Sequence, residues 1–86
     1  MFCRMENLYT VYVLESERDG SFYKGFTQDL AQRLKQHNAG RTKSTRAKIP
    51  WRVVYTETYS TREEARNREK YLKTAAGRRF LKKTLS

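Results

Sequence analysis

Two short strand-forming segments separated by a tight turn limit the fold more than any other feature. The segment from Leu8 to Ser16, LYTVYVLES, is rich in β-branched and aromatic residues and predicts a well-buried strand. Asp19-Gly20 is a strong turn signal, and a second strand is predicted from Phe22 to Phe26. We therefore expect an antiparallel hairpin that carries Tyr12 and Tyr23.

A helix is predicted directly after the hairpin. Thr27 and Asp29 both suit the N-cap, and Asp29 has Gln32 three residues later, which resembles a capping box. The helix should run to about Asn38 and end at Gly40. Four residues separate Arg33 from His37, so both side chains should project from the same side of this helix, at the edge of its buried face.

A basic loop follows the helix and leads into a third strand. The segment RTKSTRAKIP, residues 41–50, is costly to bury and could lie along phosphates, although a solvated linker would look the same. Its cationic side chains are Arg41, Lys43, Arg46 and Lys48. The segment from Trp51 to Tyr59 alternates in the way that is typical of a strand.

The C-terminal third of the chain predicts a second helix and a short final one. Ser60 with Glu63 three residues later suggests a capping box, and Gly77 should break the helix. Glu69 lies in the middle of the apolar stripe of this helix, which is formed by Ala65, Leu72 and Ala76. A carboxylate on a packing face is costly unless it is paired or binds a cation. An ion pair with a neighbouring lysine or arginine is as good an explanation as a functional role.

The charge of the chain indicates an anionic partner. Nineteen Lys and Arg residues against nine Asp and Glu give a net charge of +10. Such a field attracts polyanions, and nucleic acid fits best, although a basic surface kept for solubility is an alternative. No apolar run approaches the roughly 20 residues of a membrane-spanning helix, so no membrane partner is expected.

Length and cysteine content suggest one domain in a reducing compartment. The chain of 86 residues is long enough for a single domain, with residues 1–7 as a flexible lead-in. Cys3 is the one cysteine, no Cys/His cluster has zinc-ligand spacing, and no signal peptide is apparent. We expect a cytoplasmic location.

These side chains are a sensible set for hydrolysis of a phosphodiester. A hard divalent cation can use one carboxylate, such as Glu69, together with waters and a phosphate oxygen. Arginine clamps phosphate oxygens, and a phenol can take a proton from water when nearby cations lower its pKa.

The same residues resemble the signature of the GIY-YIG nuclease superfamily, and most closely its small single-domain UPF0213-type members. The first tripeptide stands as Thr10-Val11-Tyr12 and the second as Tyr23-Lys24-Gly25. Arg33 matches the family arginine and Glu69 the family glutamate, while PWRVVYTET looks like the third strand of the small members. The resemblance covers about residues 8–81 and implies an α+β fold: a three-stranded antiparallel sheet flanked by helices, in the order β-β-α-β-α with a possible last helix.

The resemblance also implies a role for each matching residue. Tyr23 would act as general base or position the water, with Tyr12 as a second phenol. Arg33 would stabilise the phosphate, and Glu69 would hold one divalent metal ion, Mg²⁺ or Mn²⁺. The position of His37 is filled by His or Tyr in related nucleases. Supporting roles fall to Gly25, which would let the strand bend beside the site, and to Asn38, read as a helix-end cap.

This chain departs from the family pattern at several points. Thr10 replaces the first glycine, and Lys24 replaces the isoleucine of the second tripeptide and adds a cation for nucleic acid. Phe26 stands where some DNA-repair members have lysine, and a terminal asparagine of those members has no clear match. Larger relatives add a target-recognition domain, which is not apparent here, so a nucleic-acid structure or a larger protein partner would have to supply specificity.

Three functional hypotheses follow from the sequence. The first is a metal-dependent endonuclease that cleaves DNA, in repair or recombination. The second is a non-catalytic DNA- or RNA-binding module. The third is an accessory subunit of a nucleic-acid-processing complex.

Overall fold

The predicted hairpin forms the centre and one edge of a three-stranded antiparallel sheet. The computed structural model describes residues 8–85, so the flexible lead-in predicted for residues 1–7 lies outside the described residues. The elements are β1 (Tyr9–Ser16), β2 (Phe22–Thr27), α1 (Leu30–Asn38), a short 3₁₀ turn (Arg46–Lys48), β3 (Trp51–Tyr59), α2 (Arg62–Leu72) and α3 (Ala75–Leu85). This order confirms the α+β fold that the sequence predicted.

Strand β1 lies between the other two strands, in the order β2-β1-β3, and is antiparallel to both. Four consecutive residues of β1, from Val11 to Leu14, are buried. Such a run has no polar face because helices cover both sides of the central strand, as its composition predicted. Strand β2 is left at an edge of the sheet.

A separate core lies on each face of the sheet. Helices α2 and α3 cover the face that carries Val11 and Val13, and these pack with Ala65, Leu72 and Leu81. The opposite face carries Tyr12 and Leu14, which form a second cluster with Trp51, flanked by Leu30 and Leu34 of α1. The sheet therefore separates α1 from α2 and α3, and only its edges are open to both sides.

The limits of α1 follow the predicted signals. The Asp29 carboxylate accepts a hydrogen bond from the N–H of Gln32 at 3.1 Å. At the other end, Gly40 has a φ of +78°, its N–H donates to the carbonyl of His37, and the N–H of Arg41 donates to that of Gln36. This is the Schellman arrangement, in which a left-handed glycine satisfies the last carbonyls of a helix.

The start of α2 differs by one residue from the prediction. Thr61, and not Ser60, is the N-cap, and its side chain accepts a hydrogen bond from the N–H of Glu64 at 3.2 Å. Both pairs, Ser60 with Glu63 and Thr61 with Glu64, have capping-box spacing. The sequence could not separate them because the choice depends on where the chain leaves β3.

The predicted break at Gly77 was wrong. Helix α2 ends at Leu72, Thr74 accepts a hydrogen bond from the N–H of Gly77 at 3.1 Å, and Gly77 lies inside the first turn of α3. A Cβ atom on Gly77 would be 2.1 Å from the carbonyl oxygen of Tyr71. A glycine is needed at this position because α3 packs directly against the end of α2. Ala76, the last residue of the predicted apolar stripe, likewise lies in α3 and not in α2.

Within the described range, no helix is long and apolar enough to cross a lipid bilayer.

Candidate active site

The two tyrosines predicted from the hairpin lie on the same face of the sheet. Tyr12 is paired with Gly25 across the two strands, and Leu14 with Tyr23. A Cβ atom on Gly25 would lie 2.7 Å from the Tyr12 hydroxyl oxygen. Gly25 therefore makes room for the phenol to cross β2 towards the sheet edge. In the described part of the chain, a positive φ occurs only at Gly20 and Gly40, so this space, and not an unusual backbone angle, explains Gly25.

Helix α1 places His37 beside both phenols. The ring centroid of His37 is 4.9 Å from that of Tyr23 and 6.1 Å from that of Tyr12. Trp51 packs on the other side of Tyr23, with centroids 6.2 Å apart. His37 is fully buried, and not at the edge of the buried face as predicted, because the loop after α1 folds back over it. Tyr23 keeps a partly exposed side chain.

A chain of hydrogen bonds runs from Tyr12 through His37 into that loop. The Tyr12 hydroxyl oxygen lies 3.2 Å from Nε2 of His37, and Nδ1 of His37 lies 3.0 Å from Oγ1 of Thr45. Oγ1 of Thr45 is also 3.3 Å from the carbonyl oxygen of Thr42, to which it can donate. Thr45 is 1% exposed, and its own carbonyl accepts a hydrogen bond from the indole N–H of Trp51. Sequence reasoning missed Thr45, because it treated the loop only as a source of positive charge.

Arg33 and Glu69 approach the same phenol from α1 and α2. Burial raises the pKa of Tyr12, and a hydrogen bond and the positive charge of Arg33 partly oppose this, while the negative charge of Glu69 adds to it. Burial, followed by the charge of Arg33, lowers the pKa of His37 below 6.5, so the imidazole is neutral at physiological pH. Of the residues predicted to be catalytic, the structure therefore places the rings of Tyr12, Tyr23 and His37 side by side, and the charges of Arg33 and Glu69 act on the Tyr12 phenol.

The ion pair that the sequence offered as an alternative explanation of Glu69 is also present. Oε2 of Glu69 lies 3.0 Å from Nζ of Lys73. The Glu69 side chain is 17% exposed and that of Lys73 is 55% exposed. Because the lysine end is exposed to solvent, an i,i+4 pair of this kind is worth only about 0.3–0.5 kcal/mol. It therefore holds the carboxylate weakly, and other cations can compete for it.

The donor set fits a magnesium or manganese ion that is bound mainly by water and substrate. Between residues 8 and 85, no group of three or more His, Cys, Asp or Glu side chains could hold a metal ion. Mg²⁺ keeps several waters and commonly uses one or two carboxylates with substrate phosphate oxygens. Glu69 can supply the carboxylate in such a site, whereas a closed zinc-type cage has no ligands here.

The cations predicted to bind nucleic acid fall into two places. On the loop, Arg41, Lys43 and Arg46 are exposed, whereas Lys48 is half-buried and pairs with Asp19 at 3.7 Å. Lys24 lies on the other face of β2, on the side of α2 and α3. Burial, and then the nearby charges of Arg78 and Lys73, lower its pKa. The loop and Lys24 therefore lie on opposite sides of the sheet.

Asn38 supports the site through β3 and does not cap its own helix. Its side-chain amide donates to the carbonyl of Trp51 at 3.0 Å, and its carbonyl oxygen accepts from the N–H of Trp51 at 2.6 Å. This pair of bonds ties the end of α1 to the start of β3. The loop between these two elements is thereby closed over His37.

Comparisons with known proteins identify the family of this chain. The family model of the GIY-YIG catalytic domain matches residues 8–83. A UPF0213 protein of Bacillus licheniformis is 47% identical over 68 residues, which are 78% of this chain and 69% of that protein. A UPF0213 protein of Streptococcus pneumoniae is 43% identical over 70 residues, which are 80% of this chain and 70% of that protein.

A solved structure shares the fold. The solution NMR structure of the UPF0213 protein BH0048 from Bacillus halodurans superimposes with a TM-score of 0.55 at 35% identity. The superposition covers 90% of this chain and 84% of that protein. With its sheet, its paired tyrosines, its arginine and its glutamate in the expected order, the chain belongs to the GIY-YIG family.

Proposed function

We propose that this protein is an endonuclease that hydrolyses phosphodiester bonds of DNA with the help of one divalent metal ion. The observation that carries the proposal is the convergence on the Tyr12 hydroxyl. A neutral imidazole lies 3.2 Å from it, and an arginine and a carboxylate from two other elements act on its pKa. A structural tyrosine in a core needs one hydrogen-bond partner and does not need this surrounding set of charges.

The pair of Tyr12 and His37 is the proton acceptor in this proposal. A neutral phenol can take a proton from water only if it gives its own proton away at the same time. Tyr12 has an acceptor for that proton in Nε2 of His37, because the lowered pKa of His37 keeps the imidazole neutral at neutral pH and a neutral imidazole has one nitrogen that can accept a proton. Tyr23 is partly exposed and packs on His37, which suits the water-positioning role implied by the resemblance.

The reaction balances with these groups alone. A water proton moves to the Tyr12 oxygen, and the Tyr12 proton moves to Nε2 of His37. The hydroxide forms a bond to phosphorus as the bond to the leaving oxygen breaks, the leaving alkoxide takes a proton from solvent, and the His37 imidazolium returns one proton to solvent. Arg33 donates to the phosphate oxygens as their charge grows. Glu69 would hold the metal ion, which supplies further charge stabilisation when it is bound.

The basic loop is the proposed contact with the DNA backbone. Arg41, Lys43 and Arg46 are exposed beside the site, and Lys24 is the proposed contact on the opposite side of the sheet edge. RNA would meet the same cations. We place the protein in the cytoplasm, with DNA repair or recombination as its process and with nucleic-acid structure or a larger protein partner as the source of specificity.

Nicking of supercoiled plasmid with Mg²⁺ or Mn²⁺ tests the proposal. Glu69→Ala should reduce the rate by at least about 100-fold, whereas Glu63→Ala, an exposed carboxylate in the first turn of the same helix, should cleave like wild type. Equal nicking by wild type and Glu69→Ala would defeat the proposal.

The roles of the two phenols can be separated in the same assay. Tyr12→Phe removes the hydroxyl that takes the water proton and passes its own proton to His37, and should lower the rate by about 10²–10⁴-fold. Tyr23→Phe should cost less, because the ring packing is kept. If Tyr23→Phe is the more damaging change, Tyr23 is the base.

The ion pair between Glu69 and Lys73 favours a second candidate, a basic module that binds nucleic acid without cleaving it. In this second candidate, the role of Glu69 is only to form the ion pair with Lys73. It predicts salt-sensitive DNA binding, no cleavage under any metal condition and unchanged binding by Glu69→Ala.

A further inference from the structure

We propose that Thr45 is a positioning residue that fixes His37 as the tautomer protonated on Nδ1, so that Nε2 faces Tyr12 as a hydrogen-bond acceptor. The proposal rests on the proposed nuclease function for its catalytic consequence, but the tautomer itself can be measured without activity. Thr45 belongs to the basic loop but carries no charge, and it contacts its neighbours through hydrogen bonds. Its hydroxyl is one of the few buried polar groups in the described chain.

The first argument starts at the loop end of the hydrogen-bond chain. A threonine hydroxyl has one proton to donate and lone pairs with which to accept. Oγ1 of Thr45 lies 3.3 Å from the carbonyl oxygen of Thr42, which can only accept, and 3.0 Å from Nδ1 of His37. If the hydroxyl donates to the carbonyl, it must accept from His37, which puts the imidazole proton on Nδ1.

The second argument starts at the other end and is independent of the loop. Tyr12 is 1% exposed, so its hydroxyl proton needs an acceptor within the protein. The hydroxyl oxygen lies 3.2 Å from Nε2 of His37. With Nε2 unprotonated, this nitrogen accepts the phenol proton; with Nε2 protonated, two donors would face each other across this contact unless the phenol turned its own proton away. Every buried side-chain N and O among residues 8–85 does have a partner, in agreement with this assignment.

The two arguments therefore give the same donor-to-acceptor direction for the series of hydrogen bonds. Tyr12 donates to Nε2 of His37, Nδ1 donates to Oγ1 of Thr45, and Thr45 donates to the carbonyl of Thr42. In the opposite tautomer, Nε2 would carry a proton and could not accept the proton of Tyr12. Because an imidazole hydrogen-bonded at one nitrogen has its tautomer set by that bond, the loop prepares the base before substrate arrives.

The chain contains a single histidine, which makes the test direct. In nitrogen-15-labelled protein, long-range proton–nitrogen correlation spectra resolve the two ring nitrogens of His37, recorded about one to two pH units above the ordinary histidine pKa of about 6.5. We expect a protonated, pyrrole-type Nδ1 and an unprotonated, pyridine-type Nε2 in wild type. The reverse pattern in wild type would overturn the proposal without any variant.

Variants of the loop test whether Thr45 is the cause. Thr45→Val keeps the shape but removes the hydroxyl, and the ring signals should move towards the other tautomer or an average of both. Thr45→Ser should restore the wild-type pattern. Ser44→Ala, which changes an exposed hydroxyl next to it, is the matched control and should leave the signals unchanged. Wild-type ring signals in a folded Thr45→Val would overturn the role of Thr45.

Plasmid nicking adds the catalytic arm. For Thr45→Val we expect kcat to fall at least about tenfold with KM within about a factor of two, because the lost interaction acts on proton transfer and not on DNA binding. Thr45→Ser should recover most of the loss. If wild type has the expected tautomer but cleaves nothing, the nuclease proposal fails and the positioning by Thr45 stands. If Thr45→Val changes the tautomer but not kcat, its catalytic part is wrong.

Discussion

Three side chains from a strand, a helix and a loop make a single hydrogen-bonded unit in this protein. Tyr12 and His37 could be named from the sequence because each matches a position of a known motif. Thr45 could not, since a threonine in a basic, polar segment has no periodicity and no spacing that marks it. Only the fold shows that this hydroxyl is the one that meets the imidazole.

Below neutral pH, the buried His37 should make stability depend on pH. Burial and the charge of Arg33 lower its pKa, so below pH 6.5 the unfolded chain binds a proton that the folded chain does not. The stabilisation is therefore complete above that value and is lost as pH falls, with a slope of at most about 1.4 kcal/mol per pH unit. Urea unfolding between about pH 7.5 and 5 should show this decrease.

His37→Gln is the control for that measurement. The variant should be less stable at neutral pH but should have a flatter profile, because a glutamine does not titrate. Equal slopes for the two proteins would mean that other groups cause the pH dependence.

Between elements, the contacts that shape the C-terminal half could not be read from local sequence signals. A glycine usually signals the end of a helix, yet Gly77 lies within α3. Glycine is required there because the backbone at the end of α2 occupies the place of a side chain. The end of α1 was predicted correctly because its signal, Gly40 in the left-handed region, depends only on the helix itself. Signals that depend on a second element were the ones that failed.

The close approach at Gly77 predicts a large effect from a small substitution. Gly77→Ala would place a methyl group 2.1 Å from the Tyr71 carbonyl oxygen and 2.5 Å from Cα of Leu72, so α3 must move. We expect a loss of at least about 1–3 kcal/mol, which lowers Tm by about 4–8 °C per kcal/mol in a domain of this size. Lys82→Ala, at an exposed position of the same helix, should change stability by less than about 0.5 kcal/mol. A Gly77→Ala protein as stable as wild type would show that the two helices are not held at this distance.

A charged cluster joins β3 to α2 on the side of the sheet opposite to Tyr12 and His37. The Glu57 carboxylate accepts hydrogen bonds from Tyr55, from Tyr59 at 2.6 Å and from the guanidinium of Arg68 at 2.9 and 3.0 Å. Burial pushes the pKa of Glu57 up, but these donors outweigh it, so that the pKa lies below its ordinary value. Arg68 also lies over the ring of Phe80, which extends the cluster to α3.

Removing the charge of Glu57 should destabilise the protein without changing the contacts between Tyr12 and His37. Glu57→Gln leaves several partly buried donors with a weaker acceptor and should cost about 1–3 kcal/mol of unfolding free energy. Glu15→Gln is the matched control: its carboxylate pairs with Arg52, whose side chain is 60% exposed, and its loss should cost at most about 1 kcal/mol. Chemical denaturation measures both, and an equal cost would show that the cluster adds nothing beyond a surface pair.

The whole molecule combines a predictable sheet with an unevenly distributed charge. The hairpin could be predicted from its turn and its two strand-forming segments, and the three-stranded sheet from the family resemblance, whereas the order β2-β1-β3 is a result of the structure. The net charge of +10 predicted a polyanion but not where it binds. The structure places three exposed cations, those of Arg41, Lys43 and Arg46, on the side of the sheet that carries His37.

If these loop cations bind the DNA backbone, they should dominate the salt dependence of binding. Replacing Arg41, Lys43 and Arg46 with glutamine should reduce the slope of log K against log salt by up to about 3, since each phosphate contact contributes about 0.9. A triple variant with the same net charge, changing Arg66, Arg79 and Lys82 on α2 and α3, should keep the wild-type slope. Fluorescence anisotropy of a labelled duplex over a range of salt concentrations measures both. Equal slopes for the two variants would mean that net charge, and not this loop, determines binding.

If the basic loop binds DNA, the bonds that close it over His37 should also affect the thermodynamics of that binding. Asn38 and Trp51 join the two ends of the loop, His37 holds Thr45 in its middle, and the Lys48 carbonyl accepts a hydrogen bond from Ser16. A segment of such polar composition would ordinarily lose conformational entropy when it settles on a phosphate backbone. Here most of that loss is incurred during folding, so the loop meets its ligand preorganised, and a larger share of each phosphate contact is retained as affinity.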